Sequence, residues 1–145
     1  MTNETERQVL AAADRLIDAF GRHDRDAYFA AFAPHASFVF HHVADPLPTR
    51  DAYEALWRKW EHDDRFAVMQ CQSRDRHVMP LGDSAIFTHT VRTLISTRAG
   101  LDTLDEFARA GQCWLAVHEH LSPLPHDDTA AANTAKSAHR ETASC

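Results

Sequence analysis

The feature that most constrains the fold is a change in hydrophobic periodicity near the middle of the chain. Before this point, apolar residues recur at the spacing of amphipathic helices, and Val9, Leu16 and Phe20 belong to the first such stripe. After it, aromatic and β-branched residues form runs that are separated by turn signals. The strands predicted in this second half are Phe66–Val78, Ser84–Thr97, Leu101–Arg109 and Cys113–Leu121. Helices followed by consecutive strands predict an α+β fold, in which the helices pack on one face of a curved antiparallel meander.

The first half of the chain is predicted to contain three helices and one strand. Gly21 ends the first helix and Pro34 ends the second. Asp24 and Thr49 are suited to cap the second and third helices, because their side chains can accept a hydrogen bond from the first turn. The predicted strand between these two helices is Ala36–His42. The third helix carries an apolar stripe made of Tyr53, Leu56, Trp57 and Trp60.

The composition is that of a globular protein, with 44% hydrophobic and 25% charged residues among 145. A net charge of −6 argues against a broad surface for nucleic acid or for an anionic membrane. No apolar run approaches the roughly 18 residues of a transmembrane helix. The polar N-terminus lacks the pattern of a signal peptide, and the three cysteines form no CxxC pair. We therefore expect a cytoplasmic protein with reduced thiols.

The composition changes sharply near the end of the chain. Residues 126–145 contain no aromatic residue and almost no large aliphatic residue, so they cannot bury enough apolar surface to offset the entropy of ordering. We therefore predict one domain over residues 1–125 and a disordered tail over residues 126–145.

The order of the elements and the end of the last strand resemble a known superfamily. The segment GQCWLAVHEHLSP has a Trp-x-x-Val-His-x-His-x-Ser pattern, formed by Trp114, Val117, His118, His120 and Ser122. The chain thereby resembles the nuclear transport factor 2-like superfamily, and within it the SnoaL-like proteins and the association domain of calcium/calmodulin-dependent kinase. The resemblance implies a cone-shaped sheet wrapped on three N-terminal helices, as in a cystatin-like half-barrel. It also implies a homodimer formed through the sheet, and chemistry without a cofactor.

One segment departs from the pattern of the resembled superfamily. The relatives have two long paired strands before the last one, whereas Leu101–Arg109 is shorter than Ser84–Thr97. Its middle, DEFARA, alternates poorly and favours helix over strand. We therefore expect the sheet to be frayed or bulged at this point, with a turn at Ala110-Gly111-Gln112.

The histidines of the last strand are the first candidates for catalysis. Because side chains alternate along a strand, His118 and His120 are expected to share the pocket side with Trp114, and Glu119 to face away. An imidazole with a pKa near ~6.5 suits acid–base catalysis at neutral pH. The alternative interpretation is that these histidines are structural residues of a strand or a pocket wall.

The same histidines also raise the question of a metal site. His118 and His120 can supply two nitrogen ligands, and His89 or His42 a third, as in a three-nitrogen zinc site. However, the resembled superfamily usually works without metal, and Glu119 is expected on the opposite face. We therefore predict no metal ligands.

Asp45 is a further catalytic candidate. In the ketosteroid-isomerase branch of the resembled superfamily, a carboxylate near the end of the first strand acts as the base, and Asp45 in HHVADPLP is the nearest carboxylate. An apolar pocket would raise its pKa and suit it to proton abstraction next to a carbonyl. The alternative is an ordinary turn aspartate before a proline. The oxyanion-donating tyrosine of that branch has no evident match, since Tyr28 and Tyr53 both lie on predicted helices.

Several large side chains are candidates for the lining of a ligand pocket. They are Phe38, Phe40, Tyr53, Trp57, Trp60, His89, Arg92 and Trp114. The alternative is that the aromatic residues form the seam between the helices and the sheet. Arg92 would bind a carboxylate if it faced inward and would be a surface charge if it faced outward, and parity along its strand leaves both open.

Two functions follow from these residues. The first is a SnoaL-like pocket protein for a small hydrophobic or aromatic molecule, working as a cofactor-independent isomerase, cyclase or dehydratase through histidine acid–base chemistry. The second is a non-catalytic homodimeric association or ligand-binding module. The absence of a matched Asp/Tyr pair favours the second function, and the histidine-rich last strand favours the first.

Overall fold

The computed structural model describes residues 4–112 and 115–124, and it describes their side chains except those of residues 107–112. The first half of the chain contains α1 (Glu4–Gly21), α2 (Arg25–Ala30), β1 (Phe32–Phe40) and α3 (Arg50–Asp64). The second half contains β2 (Ala67–Leu81), β3 (Ser84–Thr97), β4 (Gly100–Gln112) and β5 (Ala116–Pro123). The predicted α+β order, helices first and a run of strands after them, is confirmed.

The five strands form one curved, open sheet with the order β1-β5-β4-β3-β2. The last four strands are antiparallel neighbours, which confirms the predicted meander. β1 joins the sheet at its far edge and runs parallel to β5, with Phe38 opposite Glu119 and Phe40 opposite Leu121. The parallel pairing brings the end of β1 next to the end of β5 and the middle of β4, and the cavities described below lie on this side of the fold.

The helix N-termini follow the predicted capping residues. The Asp24 carboxylate accepts a hydrogen bond from the backbone N–H of Ala27 at 3.2 Å. The Thr49 hydroxyl oxygen accepts one from the N–H of Ala52 at 3.1 Å. Each bond satisfies a backbone donor that has no partner within its helix, and such caps contribute about 1 kcal/mol.

The helices pack on one face of the sheet through an aromatic core. Trp57, Phe32 and Phe38 are fully buried in the larger of two apolar clusters. The ring of Tyr53 lies 4.6 Å from that of Phe38 and joins α3 to β1. Burying one large apolar side chain stabilises the fold by about 1.5–3 kcal/mol, so this seam supplies much of the driving force for folding.

The expectation of a short, frayed fourth strand is wrong. β4 has 13 residues and pairs with β3 without a register shift, from Gly100 opposite Thr97 to Gln112 opposite Ala85. It therefore runs through the predicted turn at Ala110-Gly111-Gln112. The physical reason is its central position, because backbone hydrogen bonds to neighbouring strands on both sides outweigh the weak strand propensity of DEFARA.

The boundary between α2 and β1 also differs from the prediction. The helix ends at Ala30, and Phe32 already belongs to the strand. Pro34 lies within β1 rather than at a helix end. A proline is tolerated there because β1 is an edge strand and one side of its backbone needs no hydrogen-bond donor.

Two further expectations concern membrane-spanning helices and the C-terminal tail. None of the helices in the part of the chain that the structure describes is both long and apolar enough to cross a membrane. The predicted tail, residues 126–145, lies outside the described residues, as does Trp114.

Candidate functional site

One cavity between the helices and the sheet, here called the outer cavity, has a volume of about 280 Å³. This volume is close to the lower end of the about 300–1,000 Å³ that is typical of small-molecule sites. Its walls are mainly aromatic and are formed by Phe20, Phe40, Tyr53, Trp57, Trp60 and Phe66. Polar groups enter it from His41, His42, Glu106 and Asp64, together with threonine side chains of β3. The cavity thus combines an apolar body with a few convergent polar groups.

A smaller cavity of about 60 Å³, here called the inner cavity, lies deeper in the fold. Phe20, Tyr53, Thr93, Glu106 and Leu121 line both cavities, so the two spaces adjoin. The inner cavity adds the polar side chains of Tyr28, His89 and Glu119. Groups that can exchange or donate protons are therefore concentrated at the deep end of an aromatic pocket.

Glu119 on β5 has the most perturbed carboxyl group among the described residues. It is buried, and this burial raises its pKa to about 8, with a further contribution from the charge of Glu106. A carboxyl group with such a pKa is protonated at neutral pH and can donate a hydrogen bond. A neutral carboxylic acid inside an apolar site is a recognised device for stabilising charge on a substrate oxygen.

Tyr28 of α2 and Tyr53 of α3 form a buried hydroxyl pair. Their oxygens lie 3.0 Å apart, and burial raises the pKa of both phenols well above the usual value. Both hydroxyls are therefore neutral, and one donates to the other. A mutual bond between two hydroxyls uses only one of their two protons, so the second proton can be donated to a ligand.

Glu106 of β4 approaches the cavities beside two consecutive histidines. The chain turns directly after β1, where the N–H of Val43 donates to the carbonyl of Phe40 at 3.1 Å, and this turn carries His41 and His42. The Nε2 atom of His41 donates to the Glu106 carboxylate at 2.7 Å. Burial lowers the pKa of His42, and its ring stacks on Phe40 with an interplanar angle of 5°.

The two histidines predicted to be catalytic lie on the other face of the sheet. His118 and His120 line neither cavity, and the Nδ1 atom of His118 forms a 2.8 Å hydrogen bond with the hydroxyl of Ser37. Glu119, which was expected to face away from the pocket, faces into it. The physical reason is a break in register between Ala116 and His118, which interrupts the alternation from which the predicted orientation was extrapolated.

The predicted pocket residues are distributed over several places. Phe40, Tyr53, Trp57 and Trp60 line the outer cavity, whereas Phe38 lies in the core beneath it. His89 lines the inner cavity, accepts or donates a 2.6 Å hydrogen bond with Ser73, and has its pKa lowered to about 4 by burial.

The remaining predicted residues lie away from both cavities. Arg92 is on the outer face of β3, where its guanidinium binds the carboxylate of Asp105 at 2.8 Å. The sequence left open which face of β3 is inside. Phe87, His89 and Val91 face inward, so Arg92 faces outward. Asp45 is exposed in the loop after β1 and lines neither cavity. Trp114 is among the residues that the structure does not describe.

Sequence reasoning missed Glu106, Glu119 and the bonding of the two tyrosines. Leu121 indicates the orientation of Glu119. The two residues are two positions apart on the strand, so their side chains point to the same face, and an apolar residue near a strand end usually faces the core. For Glu106, the corresponding signal was Leu104 on the same strand. No local signal marks the Tyr28–Tyr53 pair, because its members are 25 residues apart.

Comparison with known families identifies the chain. A SnoaL-like domain model matches residues 9–126, which is most of the sequence. The chain belongs to the SnoaL-like family. The resemblance drawn from the last strand and the order of elements is therefore confirmed. No curated protein matches this SnoaL-like chain in sequence.

Three solved structures show how different the proteins with this fold are. A ketosteroid isomerase-like protein from Erwinia carotovora atroseptica is 14% identical, with a TM-score of 0.68, 86% of this chain covered and 99% of that one. A structure assigned as a calcium/calmodulin dependent protein kinase II association domain from Xanthomonas campestris is 14% identical, with a TM-score of 0.67 and coverages of 87% and 91%. A Nostoc punctiforme protein of unknown function with a cystatin-like fold is 12% identical, with a TM-score of 0.64 and coverages of 89% and 98%.

These similarities establish the fold of this SnoaL-like protein. The cystatin-like architecture expected from the sequence is confirmed. Because the identities are so low, function has to be argued from the residues of the cavities.

Proposed function

We propose that this SnoaL-like protein binds a small hydrophobic or aromatic molecule in the outer cavity and rearranges it by acid–base chemistry, as an isomerase, cyclase or dehydratase. The observation that carries the proposal is the placement of Glu119, Glu106 and the Tyr28–Tyr53 pair at the deep end of an aromatic pocket. Apolar walls bind the body of the ligand, and the few polar groups orient its reactive end.

The two carboxyl groups suit different roles. Glu106 accepts a hydrogen bond from His41, and its carboxylate can take a proton from a carbon next to a carbonyl group. The neutral carboxyl of Glu119 and the second proton of the tyrosine pair can donate hydrogen bonds to the carbonyl oxygen as negative charge develops on it. Return of the proton from Glu106 to another carbon completes an isomerisation, and no external oxidant or reductant is consumed.

The catalytic roles of His118, His120 and Asp45 stay predictions, as does a cytoplasmic location. For these three residues to act on a ligand in the outer cavity, the ligand would have to reach beyond the lining that the described residues form. His89 is better placed, at the inner cavity, where its neutral ring can hold a ligand oxygen or a neighbouring hydroxyl.

A non-catalytic homodimeric association module is the second candidate. It is favoured by the outer face of β3, where Ile86, Thr88, Thr90 and Leu94 are buried or half-buried without a cover from the helices. A sheet face that combines threonine and apolar side chains with the mutually paired charges of Arg92 and Asp105 is suited to pairing with a second copy across a two-fold axis. Dimerisation and catalysis use opposite faces of the sheet, so one does not exclude the other.

The experiment combines ligand binding with proton exchange. Fluorescence of Trp57 and Trp60, which line the outer cavity, reports binding of small cyclic and aromatic ketones, and NMR in D₂O reports exchange of the protons next to the carbonyl group. We expect saturable quenching and catalysed exchange for at least one ketone. Glu106→Gln, which removes the proposed base, should slow the exchange about 100-fold or more while affinity changes little.

A matched control separates this effect from a general loss of charge. Glu54→Gln changes a glutamate of α3 that lines neither cavity, and it should leave exchange unchanged. Binding without exchange across the panel would support the non-catalytic module instead. Full exchange activity in Glu106→Gln would overturn the assignment of the base.

A further inference from the structure

A second site is formed at the rim of the outer cavity by side chains from two distant parts of the chain. His41 and His42 come from the turn after β1, and Glu106 comes from β4. One nitrogen of each imidazole and one carboxylate oxygen of Glu106 all lie within 4.8 Å of one another. Within the part of the chain that the structure describes, this is the one group of three such ligand atoms found so close together.

The turn explains why two consecutive histidines converge. In an extended strand, adjacent side chains point to opposite faces, so His41 and His42 could not bind one ion. The bond from the N–H of Val43 to the carbonyl of Phe40 closes a tight turn instead, and it leaves the two ring centroids 5.0 Å apart. Parallel pairing of β1 with β5 then places this turn beside β4, where Glu106 is buried.

We propose that His41, His42 and Glu106 form a binding site for a divalent transition-metal ion of the zinc type, with a further coordination position open toward the outer cavity. Two imidazoles and one carboxylate are a ligand set that suits Zn²⁺, Co²⁺ and Fe²⁺ and that disfavours Mg²⁺ and Ca²⁺, which prefer oxygen ligands. The inference goes beyond the proposed acid–base function and does not depend on it.

The observed distances require only a small adjustment. Ligand atoms about 2.1 Å from a tetrahedral Zn²⁺ stand roughly 3.4 Å apart, so donor atoms that are up to 4.8 Å apart must close by as much as about 1.4 Å. His41 lies 2.7 Å from Glu106, so this pair must open slightly, and its side chain is 28% exposed. His42 is held by stacking on Phe40 and by contact with the Trp60 ring at 5.8 Å, which keeps it near the binding position.

The site differs from a purely structural metal site because its three protein ligands leave a position unfilled. All three residues line the outer cavity, so the open position faces the space where a ligand would lie. A carbonyl, carboxylate or enolate oxygen of that ligand can complete the coordination. A bound ion also replaces the hydrogen bond between His41 and Glu106, so proton transfer by Glu106 is expected to slow as the site fills.

The test is metal binding to the full chain, freed of any histidine tag. Co²⁺ is titrated while its visible d–d absorption is recorded, and Zn²⁺ is then added in competition. We expect one Co²⁺ per chain, displacement by Zn²⁺, and no displacement by Mg²⁺ or Ca²⁺. Glu106→Gln and His42→Asn should each weaken binding by at least about 100-fold, since loss of even an outer-shell partner costs about 10–100-fold.

Two controls make the outcome decisive. His62→Asn alters a histidine on the surface of α3, with 89% of its side chain exposed, and should leave Co²⁺ binding unchanged. The double substitution of His118 and His120 by asparagine removes the His-x-His pair of β5 and should also have no effect. If Co²⁺ binding is lost in that variant and kept in His42→Asn, or if the chain binds no Co²⁺, the proposal is overturned.

Folding is checked independently of the metal. Circular dichroism and thermal unfolding of each metal-free variant are compared with those of the parent chain. If Glu106→Gln does not fold, His41→Asn and His42→Asn still decide the question, because both residues lie in an exposed turn at the rim. Failure of the acid–base assay leaves these binding measurements untouched, so the two proposals can fail separately.

Discussion

The two faces of β5 show how differently the fold treats neighbouring residues. On the outer face, His118 hydrogen-bonds to Ser37 and lies away from the cavities. One residue further along, Glu119 is buried against the inner cavity, and its pKa is raised to about 8. The histidines are the more conspicuous candidates in the sequence, yet the unusual protonation state belongs to the glutamate. Burial, rather than residue type, decides which group is prepared for acid–base chemistry.

The largest expected effect concerns the inner face and the dependence of stability on pH. The pKa of Glu119 is raised from its ordinary 4.5 to about 8 in the folded protein, so between these values the unfolded chain binds fewer protons. The contribution of this residue to stability is therefore complete below about pH 4.5 and is lost as pH rises through about 8. The full loss corresponds to about 5 kcal/mol as an upper value.

Urea unfolding at pH 5 and pH 9 measures this difference. Relative to the parent chain, Glu119→Gln should lose much less stability between the two pH values, because glutamine does not titrate. Glu54→Gln is the control and should follow the parent chain. If the free energy of unfolding changed with pH by the same amount in the parent chain and in Glu119→Gln, Glu119 would not have the raised pKa on which the contrast between the two faces of β5 rests.

The next effect concerns the tyrosine pair beside Glu119. Tyr28→Phe and Tyr53→Phe each remove one partner of a buried hydrogen bond and should each destabilise the fold by about 1 kcal/mol. The double variant removes both partners, so its cost should be smaller than the sum of the two single costs. A double-mutant cycle by urea unfolding measures the coupling, and additive costs would show that the two hydroxyls do not interact.

The smallest effect is expected on the outer face. His118→Asn and His120→Asn should leave ligand affinity and proton exchange within about two-fold of the parent chain, with stability changed by about 1 kcal/mol or less, since the hydrogen bond of His118 with Ser37 is only partly buried. The same fluorescence and NMR measurements apply. A ten-fold loss of exchange in either variant would support the catalytic histidines predicted from the sequence and would weaken the case for Glu119.

Much of the fold could be predicted because it depends on local patterns. Asp24 and Thr49 cap helices where their side chains suggested, and the meander follows from strand runs divided by turns. β4 was the exception, since its strand character comes from pairing with neighbours on both sides and not from its own composition. Of the predicted pocket residues, those of α3 line the outer cavity because helical spacing places Tyr53, Trp57 and Trp60 on one face.

The sequence by itself determined the family, the order of the elements and the aromatic wall of the pocket. Only the tertiary structure decided which face of β5 is inside, because a break in register near Val117 reverses the simple alternation of side chains. It also decided which polar groups meet, since His41 and Glu106 are 65 residues apart, and Tyr28 and Tyr53 are 25 apart. Periodicity reports which residues avoid water, whereas the protonation and the partners of a buried polar group depend on the chain segments that fold around it.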